Sequence, residues 1–511
     1  MSMGDIHEFC GICAASTPGK NAGYDLYQMM KDLQHRGQAG AGFSTYDPER
    51  KILLRTYKNT GLVEEVFGGA DELRFREILD DFGGSRGIGH TRYGTSGSLT
   101  SRHVQPFERI HGVTYKWFAF GFNGHIANRQ ELEARISSQG YHLMLDTDTE
   151  VMMHYLSKHL SDTKGDLPEI FSRLSRDFDG AYNIIFIDAL GNIAAIRDPW
   201  GIRPLSSVVT ERGSFVASET CALYRQGTEG LRPIEPGEMA ILSEGEIEYR
   251  RYAPARRKAI CFFEFLYFAA VTSTLDNVSV YETRKRCGEE LARIETQNIN
   301  DRDWVVIPVP NTARPIANSY AKAIGYPQIY DEGLIAVGKG RTFIDEGDRS
   351  AKVRRKFLPI PSVIKGKKVI VIDDSIVRST TMATLVRYHL KEIGGAKEVH
   401  VRIATPPIIA PCYYGIDMRS FEELIGSGYQ DRIHNGEMEQ PALDEIAGRL
   451  DADSLIYMTH EGLIKALGLK RSEICMACLD RNYPTPCGKR LDEESYKAFL
   501  EKGHSKPTSE C

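Results

Sequence analysis

Val369-Ile370-Val371-Ile372-Asp373-Asp374-Ser375-Ile376-Val377-Arg378-Ser379-Thr380-Thr381 opens with four apolar β-formers and breaks into two adjacent acids and a hydroxyl-rich turn. An apolar run without polar alternation reads as a strand covered on both faces, the habit of parallel sheets. The acids then stand at the carboxyl end of that strand, where open α/β sheets hold their ligands. Paired carboxylates there accept hydrogen bonds from a ribose diol, directly or through a divalent ion. The Ser/Thr turn leads into an amphipathic stretch at 382–393, so backbone N–H groups, hydroxyls and a helix dipole converge on a phosphate. A lone Asp-Asp pair would mean only an acidic strand end before a capped helix; the whole stretch in this order says more.

Outward from this motif the pattern continues. Val305-Val306-Ile307 precedes a Pro/Asn loop and a helix-like run at 316–324. Strands alternating with helices imply a parallel sheet with crossover helices. Upstream the texture differs: residues 10 to about 250 carry short β-like runs with Gly and Asn turns. Residues 181–187, the turn Ala189-Leu190-Gly191-Asn192 and residues 193–196 predict a hairpin. A basic stretch at 250–258 reads as a linker. Residues 420–500 read as helices, before a polar tail at 503–510.

Composition sets the bounds. The chain has 511 residues, 41% hydrophobic and 26% charged, enough for two to four domains with cores of their own. A formal charge of −5 gives no hint of nucleic acid or membrane as partner. No apolar run approaches the ~20 residues of a membrane-spanning helix. The first nine residues carry two acids and no apolar core, unlike a secretory signal, so a cytoplasmic location is expected. Ten cysteines are too sparse for a disulfide-stapled scaffold and read as free thiols, metal ligands or nucleophiles.

The quoted motif closely resembles the phosphoribosyl diphosphate signature of phosphoribosyltransferases. Pro308-Val309-Pro310-Asn311-Thr312-Ala313-Arg314 resembles the loop that grips the diphosphate and contributes to the Mg²⁺ site of that fold. Gly340-Arg341-Thr342-Phe343, with Arg354-Arg355-Lys356 beyond, resembles its closing basic loop. The resemblance implies contacts to phosphoribosyl diphosphate from Thr312, Arg341, Asp373, Asp374, Ser375, Arg378, Ser379, Thr380 and Thr381. It also implies Mg²⁺ on Thr312, Asp373 and Asp374.

A second set of motifs starts at Phe9-Cys10-Gly11-Ile12. Alone, such a cysteine is usually a buried small hydrophobe. It is followed in order by His35-Arg36-Gly37-Gln38, His90-Thr91-Arg92-Tyr93-Gly94-Thr95, Phe122-Asn123-Gly124, Thr147-Asp148-Thr149-Glu150 and Asp198-Pro199-Trp200-Gly201-Ile202-Arg203-Pro204-Leu205. Together these resemble the glutaminase domain of N-terminal-nucleophile (Ntn) amidotransferases. Taken alone, Asn123-Gly124 is most often a type I′ turn, and Arg92 with Asp148 a surface ion pair.

Side by side, the two sets resemble one family, glutamine phosphoribosylpyrophosphate amidotransferase. The resemblance implies a propeptide at 1–9, an αββα Ntn glutaminase domain at 10–250, a type I phosphoribosyltransferase α/β domain at 259–425 and a helical C-terminal extension at 426–511. It implies Cys10 as nucleophile, its freed α-amine as base, and Asn123 and Gly124 as the oxyanion hole. Arg92 and Asp148 would bind the glutamine carboxylate and ammonium, with Arg36 ordering a closing loop. Ammonia would then pass internally to phosphoribosyl diphosphate, giving phosphoribosylamine, the first step of purine biosynthesis. Purine nucleotide inhibitors and a homotetramer are further implications.

Cys475-Met476-Ala477-Cys478 alone reads as half a metal site or a redox pair. Cys261 and Cys412 lie in segments resembling the iron–sulfur branch of the family, so the resemblance implies a [4Fe–4S] cluster on Cys261, Cys412, Cys475 and Cys478, structural or oxygen-sensing in role. Tetrahedral Zn²⁺ is the chemical alternative. Cys487 is a spare or competing ligand; Cys13, Cys221, Cys287 and Cys511 are ordinary packing or tail residues.

The chain departs from the family's pattern on the transferase side. Ala269-Ala270-Val271-Thr272-Ser273 stands where Ser/Ala-Arg-Pro-Asp-Ser is usual. Ala336-Val337-Gly338-Lys339 replaces a more basic loop entry, and Ser379 occupies a usual glycine position, where a Cβ could crowd the phosphate. Two other readings therefore stay open: a divergent paralogue aminating another phosphoribosyl compound, and a non-catalytic regulator that binds nucleotides.

Overall fold

The computed structural model describes residues 10–19, 21–93, 100–145, 147–337, 354, 356–503 and 505. The expected propeptide at 1–9, Gly94 and Thr95, the segment Gly340–Phe343 with Arg341, Arg355 and Cys511 lie outside the described residues.

The first half is built on two antiparallel sheets. One has seven strands, in the order Arg232–Pro233, Ser206–Thr210, Gly213–Ala217, Gly11–Ser16, Arg86–Arg92, Gly40–Tyr46 and Leu54–Thr60. The other has six: Glu246–Arg251, Glu238–Ser243, Ile193–Arg197, Gly180–Asp188, Phe118–Ile126 and Phe107–Arg109. Alternation along the strands assigns three layers of core. Ile12 and Ala14 meet Ile185, Ile187 and Ala195 between the sheets. Cys13 and Ala15 point the other way, onto helix Ala22–Asp32 through Leu26, Met29 and Met30. Ile184 and Phe186 pack outward on helices Asp148–Thr163 and Leu167–Asp177. The result is the αββα sandwich expected. Helix Leu167–Asp177 shows why: Asp166 caps it by accepting from Glu169 N–H at 3.2 Å, and Ile170, Phe171 and Leu174 are fully buried on one face. Each such side chain contributes roughly 1.5–3 kcal/mol.

The hairpin expected near 181–196 is present. Asp188 closes it, its carboxylate accepting from the N–H groups of Leu190 and Asn192 at 3.0 and 2.9 Å. The basic stretch at 250–258 is not wholly a linker, because Arg250 and Arg251 complete a sheet strand.

The second half holds a parallel sheet, Trp304–Pro308, Lys368–Asp373, Glu398–Ile403 and Ser454–Tyr457, in that order. Val306, Ile370 and Ile372 pack against helices Val280–Arg293 and Arg314–Ala323. Val305, Val369 and Val371 face the opposite layer, where Met382, Leu385 and Leu390 meet Ile446 and Leu450. Both faces are covered, as the unbroken apolar run required.

This corrects the expected boundary at 425. The fourth strand, Ser454–Tyr457, and helix Gln440–Leu450 both fall within the supposed helical extension and belong to the sheet and its cover. Beyond them the chain crosses back: Ile474–Cys475 pairs in parallel with Ile260–Cys261. Helix Pro486–Lys502 then reaches the first half, where Cys487 N–H donates to Asp179 at 3.1 Å and Arg490 pairs with Glu131.

Candidate active site

Strand Gly11–Ser16 starts immediately after Cys10 and lies between Arg86–Arg92 and Gly213–Ala217. Gly11 is opposite Thr91 and donates to its hydroxyl at 3.2 Å, which brings Cys10 and Arg92 to the same strand ends. Cys10, Arg92, Asn123, Gly124 and Asp148 line one cavity of about 60 Å³, so the structure brings together five residues from four separated motifs.

Asn123-Gly124 is not a turn: both residues lie inside strand Phe118–Ile126. Gly124 has φ +142°, and a Cβ there would stand 2.0 Å from the Ala181 carbonyl oxygen. Only glycine fits, and the backbone conformation follows from that. Asn123 is 2% exposed, yet its Nδ2 has no hydrogen-bond partner; the same holds for Nη1 of Arg92. Buried donors are nearly always satisfied, so two orphans in one pocket mark where acceptors belong. Burial lowers the Arg92 pKa from its ordinary range.

Asp148 is buried at the start of its helix. It accepts from Ile126 N–H at 3.0 Å and pairs with His125 Nδ1 at 2.9 Å, rather than with Arg92. Its Oδ1 makes no hydrogen bond, with Arg129 Nε 3.8 Å away, so this oxygen can still accept from a substrate cation. Sequence reasoning missed four other lining residues: His103, Gln105, Arg203 and Gly415. Arg203 falls within the Asp198–Leu205 motif, but nothing local marks it or Gly415 as a pocket residue. Burial, reinforced by Arg92 and Lys58, holds the His103 imidazole below its ordinary pKa.

Arg36 does not line this cavity. It is 1% exposed and is clamped between two carboxylates, Glu219 and, at 3.1 Å, Glu264. Its guanidinium is thus part of a buried ionic network. Burial alone would push the Glu219 carboxyl up, but His35 and Arg36 hold it far below the usual range. Glu219 also receives Ala270 N–H at 2.8 Å and Ser273 Oγ at 2.7 Å. The atypical 269–273 segment is therefore tied to the first half by Glu219 and by Tyr224, whose hydroxyl donates to the Thr272 carbonyl at 2.8 Å. His35, Glu219 and Cys221 gather ligand-type atoms within 4.8 Å, but Glu219's oxygens are already taken by this network.

At the second site Asp373 and Asp374 end the strand Lys368–Asp373, as expected. Asp374 is 3% exposed and accepts from the hydroxyls of Thr312 and Ser375, the latter at 2.6 Å. Burial raises its pKa. Arg378 reaches sideways to Glu423 and keeps Nη1 without a hydrogen-bond partner. Ser379 opens a regular helix, Ser379–Thr384, so glycine's freedom is not needed there. Thr380 and Thr381 follow on its first turn.

Cys261, Cys412, Cys475 and Cys478 line a single buried cavity. Burial drives the thiols of Cys261 and Cys478 well up, and that of Cys475 to about 12. Cys487 does not line this cavity; it sits at the start of helix Pro486–Lys502, its sulfur accepting from Arg490 at 3.2 Å. Cys13 and Cys287 are buried packing residues, as read.

Comparison with known proteins agrees with this layout. Residues 90–225 match the glutamine amidotransferase domain and residues 278–406 the phosphoribosyl transferase domain. The amidophosphoribosyltransferase of Methanothermobacter thermautotrophicus is 36% identical, covering 96% of this chain and 97% of that relative. The glutamine phosphoribosylpyrophosphate amidotransferase of B. subtilis, solved with ADP and GMP, is 32% identical over 94% of this chain and 98% of its own, with a TM-score of 0.78. A second solved structure, described as the allosteric regulatory enzyme of purine biosynthesis, is 33% identical over 94% and 97%, with a TM-score of 0.80.

Proposed function

The chain belongs to the amidophosphoribosyltransferase family, an enzyme of the first step of purine biosynthesis, and from that premise we propose how its own residues divide the work. With residues 1–9 removed, the α-amine of Cys10 takes the thiol proton, and the sulfur attacks the side-chain amide carbon of glutamine. Negative charge collects on the amide oxygen, which Asn123 Nδ2 and the Gly124 N–H stabilise. The C–N bond breaks as the nitrogen takes a proton and leaves as ammonia, and water hydrolyses the thioester to glutamate. Arg92 holds the α-carboxylate and Asp148 the α-ammonium, which selects the free amino acid.

The ammonia attacks C1 of phosphoribosyl diphosphate, and diphosphate departs with the bonding pair. Asp373 and Asp374 hold the ribose, while Ser375, Ser379, Thr380, Thr381 and Arg378 receive phosphate oxygens at the helix start. Thr312, Asp373 and Asp374 would hold Mg²⁺, and an oxygen donor set at a buried carboxylate fits that ion. Mg²⁺ supplies charge neutralisation for the diphosphate.

The four-cysteine cavity fits a cluster's donor set. Among the described residues no three of these sulfurs lie within 4.8 Å of one another. A tetrahedral Zn²⁺, with Zn–S of about 2.3 Å, needs them closer. This favours [4Fe–4S], whose contribution here would be to tie the C-terminal segment to the core. Regulation by purine nucleotides is supported by the ADP and GMP bound to the B. subtilis relative; the homotetramer rests on the family resemblance alone.

The observation that carries the reading is the pair of orphaned buried donors, Asn123 Nδ2 and Arg92 Nη1, in the Cys10 pocket. Replacing Cys10 with Ala tests it: glutamine-dependent synthesis is lost and ammonia-dependent synthesis is kept. Loss of both, or of neither, refutes the division of labour.

A further inference from the structure

The Cys10 pocket is not closed by the first half alone. Gly415, from the segment that follows Cys412, forms part of its wall beside Arg203. Arg203 is 1% exposed and bridges the halves: Nη1 pairs with Glu264 at 3.3 Å and Nη2 donates to the Tyr414 carbonyl at 2.6 Å. Glu264 is shared with Arg36, so the group forms a buried Arg–Glu–Arg array.

Gly415 sits between Arg203 and the oxyanion strand. Gly415 has φ +91°, and a Cβ built there would stand 3.2 Å from Arg203 Nη2, 3.2 Å from His125 Cβ and 3.4 Å from the Gly124 carbonyl carbon. Asn183, directly opposite Asn123 in the sheet, donates to the Pro204 carbonyl at 2.9 Å, fixing the residue after Arg203 to the same strand pair. Gly415 thus stands directly against Gly124, and the Arg203–Pro204 segment is tied to the strand paired with Asn123.

We propose that Arg203 is a positioning residue for glutamine hydrolysis, holding the Asn123–Gly124 oxyanion hole against a wall that Tyr414 and Gly415 supply from the other half of the chain. It rests on the reading of Cys10 as nucleophile. The Arg203 guanidinium is committed to Glu264 and the Tyr414 carbonyl, so it acts by fixing where the donors point; errors of about 1 Å in such groups cost roughly 10²-fold in rate.

The test uses full-length enzyme carrying Arg203→Lys or Gly415→Ala. Lysine keeps the charge but cannot hold Glu264 and the Tyr414 carbonyl in one planar fork. The expected result is a fall in kcat for glutamine hydrolysis of roughly 10–100-fold with KM changed less than about threefold. Ammonia-dependent synthesis and alkylation of Cys10 by iodoacetamide stay near wild type. The proposal is overturned if Gly415→Ala or Arg203→Lys leaves glutamine kcat within about twofold, or if ammonia-dependent synthesis falls in parallel in both variants. Failure of the underlying reading looks different: the Cys10→Ala enzyme would keep its glutamine activity whatever stands at 203.

Discussion

Cys261 and Cys475 face each other as register partners in a two-residue parallel ladder between Ile260–Cys261 and Ile474–Cys475. The backbone itself therefore joins the start of the transferase half to the segment that carries Cys478. Tyr414 N–H donates to Cys412 Sγ at 3.4 Å and fixes the remaining thiol.

Cys475→Ser should therefore lower bound iron and acid-labile sulfide by at least half in anaerobically purified protein, with the ~400 nm absorbance falling alongside. Iron and sulfide at wild-type levels in that variant would remove Cys475 from the ligand set. Because the ladder's backbone bonds survive the substitution, circular dichroism should stay close to wild type.

Arg92→Lys should raise KM for glutamine by about tenfold or more, since a lysine cannot present the two-pronged face that a carboxylate prefers. Ammonia-dependent synthesis should be unaffected. Asp148→Asn should show the same kinetic pattern with an added loss of stability, because Asp148 also anchors Ile126 N–H and His125. Hydrogen bonds to a charged acceptor contribute about 1.5–3 kcal/mol, so a fall in thermal midpoint should separate the two variants.

Asp374→Asn should cut phosphoribosyl transfer about 100-fold or more while basal glutamine hydrolysis continues. Its fold should not suffer. The wild-type carboxylate is destabilised by burial, and in the amide the oxygen can accept from one of the two hydroxyls, Thr312 or Ser375, while the NH2 donates to the other. A midpoint well below wild type would show that the carboxylate stabilises the fold instead.

His90 makes the acid response calculable. It is fully buried, its Nε2 is 3.3 Å from the Phe122 carbonyl oxygen, and burial holds its pKa down to about 3 from 6.5. The unfolded chain protonates this histidine below 6.5 while the folded one does not. Its contribution is therefore complete above pH 6.5 and is lost as pH falls toward 3, at about 1.4 kcal/mol per pH unit. His90→Asn should remove that slope in denaturation curves across the window. Asp198, which burial raises to about 6, acts in the opposite sense and is common to both proteins, so the difference isolates His90.

The parts legible in the sequence were those whose chemistry is local. Residues 369–381 carry strand, acids and phosphate turn in one stretch, and the hairpin at 181–196 carries its own turn residues. The misreadings came from partners far away in the chain. The buried partners of Arg36 gave no signal either, because Glu219 and Glu264 lie more than 180 residues on. Strand Ser454–Tyr457 is only four residues long between two helices, too short for its period to register, and its place was decided by Glu398–Ile403 beside it. Asn123-Gly124 has the composition of a turn but is held extended by Asn183 and Tyr182 across the sheet. Gly415 gave no signal, because its role is to be small against Arg203 and Gly124.

Helix Pro486–Lys502 docks on Asp179 and Glu131, so the last helix clasps the first half of the chain. A gene cut between the halves would yield a glutaminase fragment with its docking face bare and lacking the Gly415 wall of its pocket. The two activities are consequently not modules that an engineer can lift out and reattach: a swap must carry the clasp, the wall and the buried array as one unit.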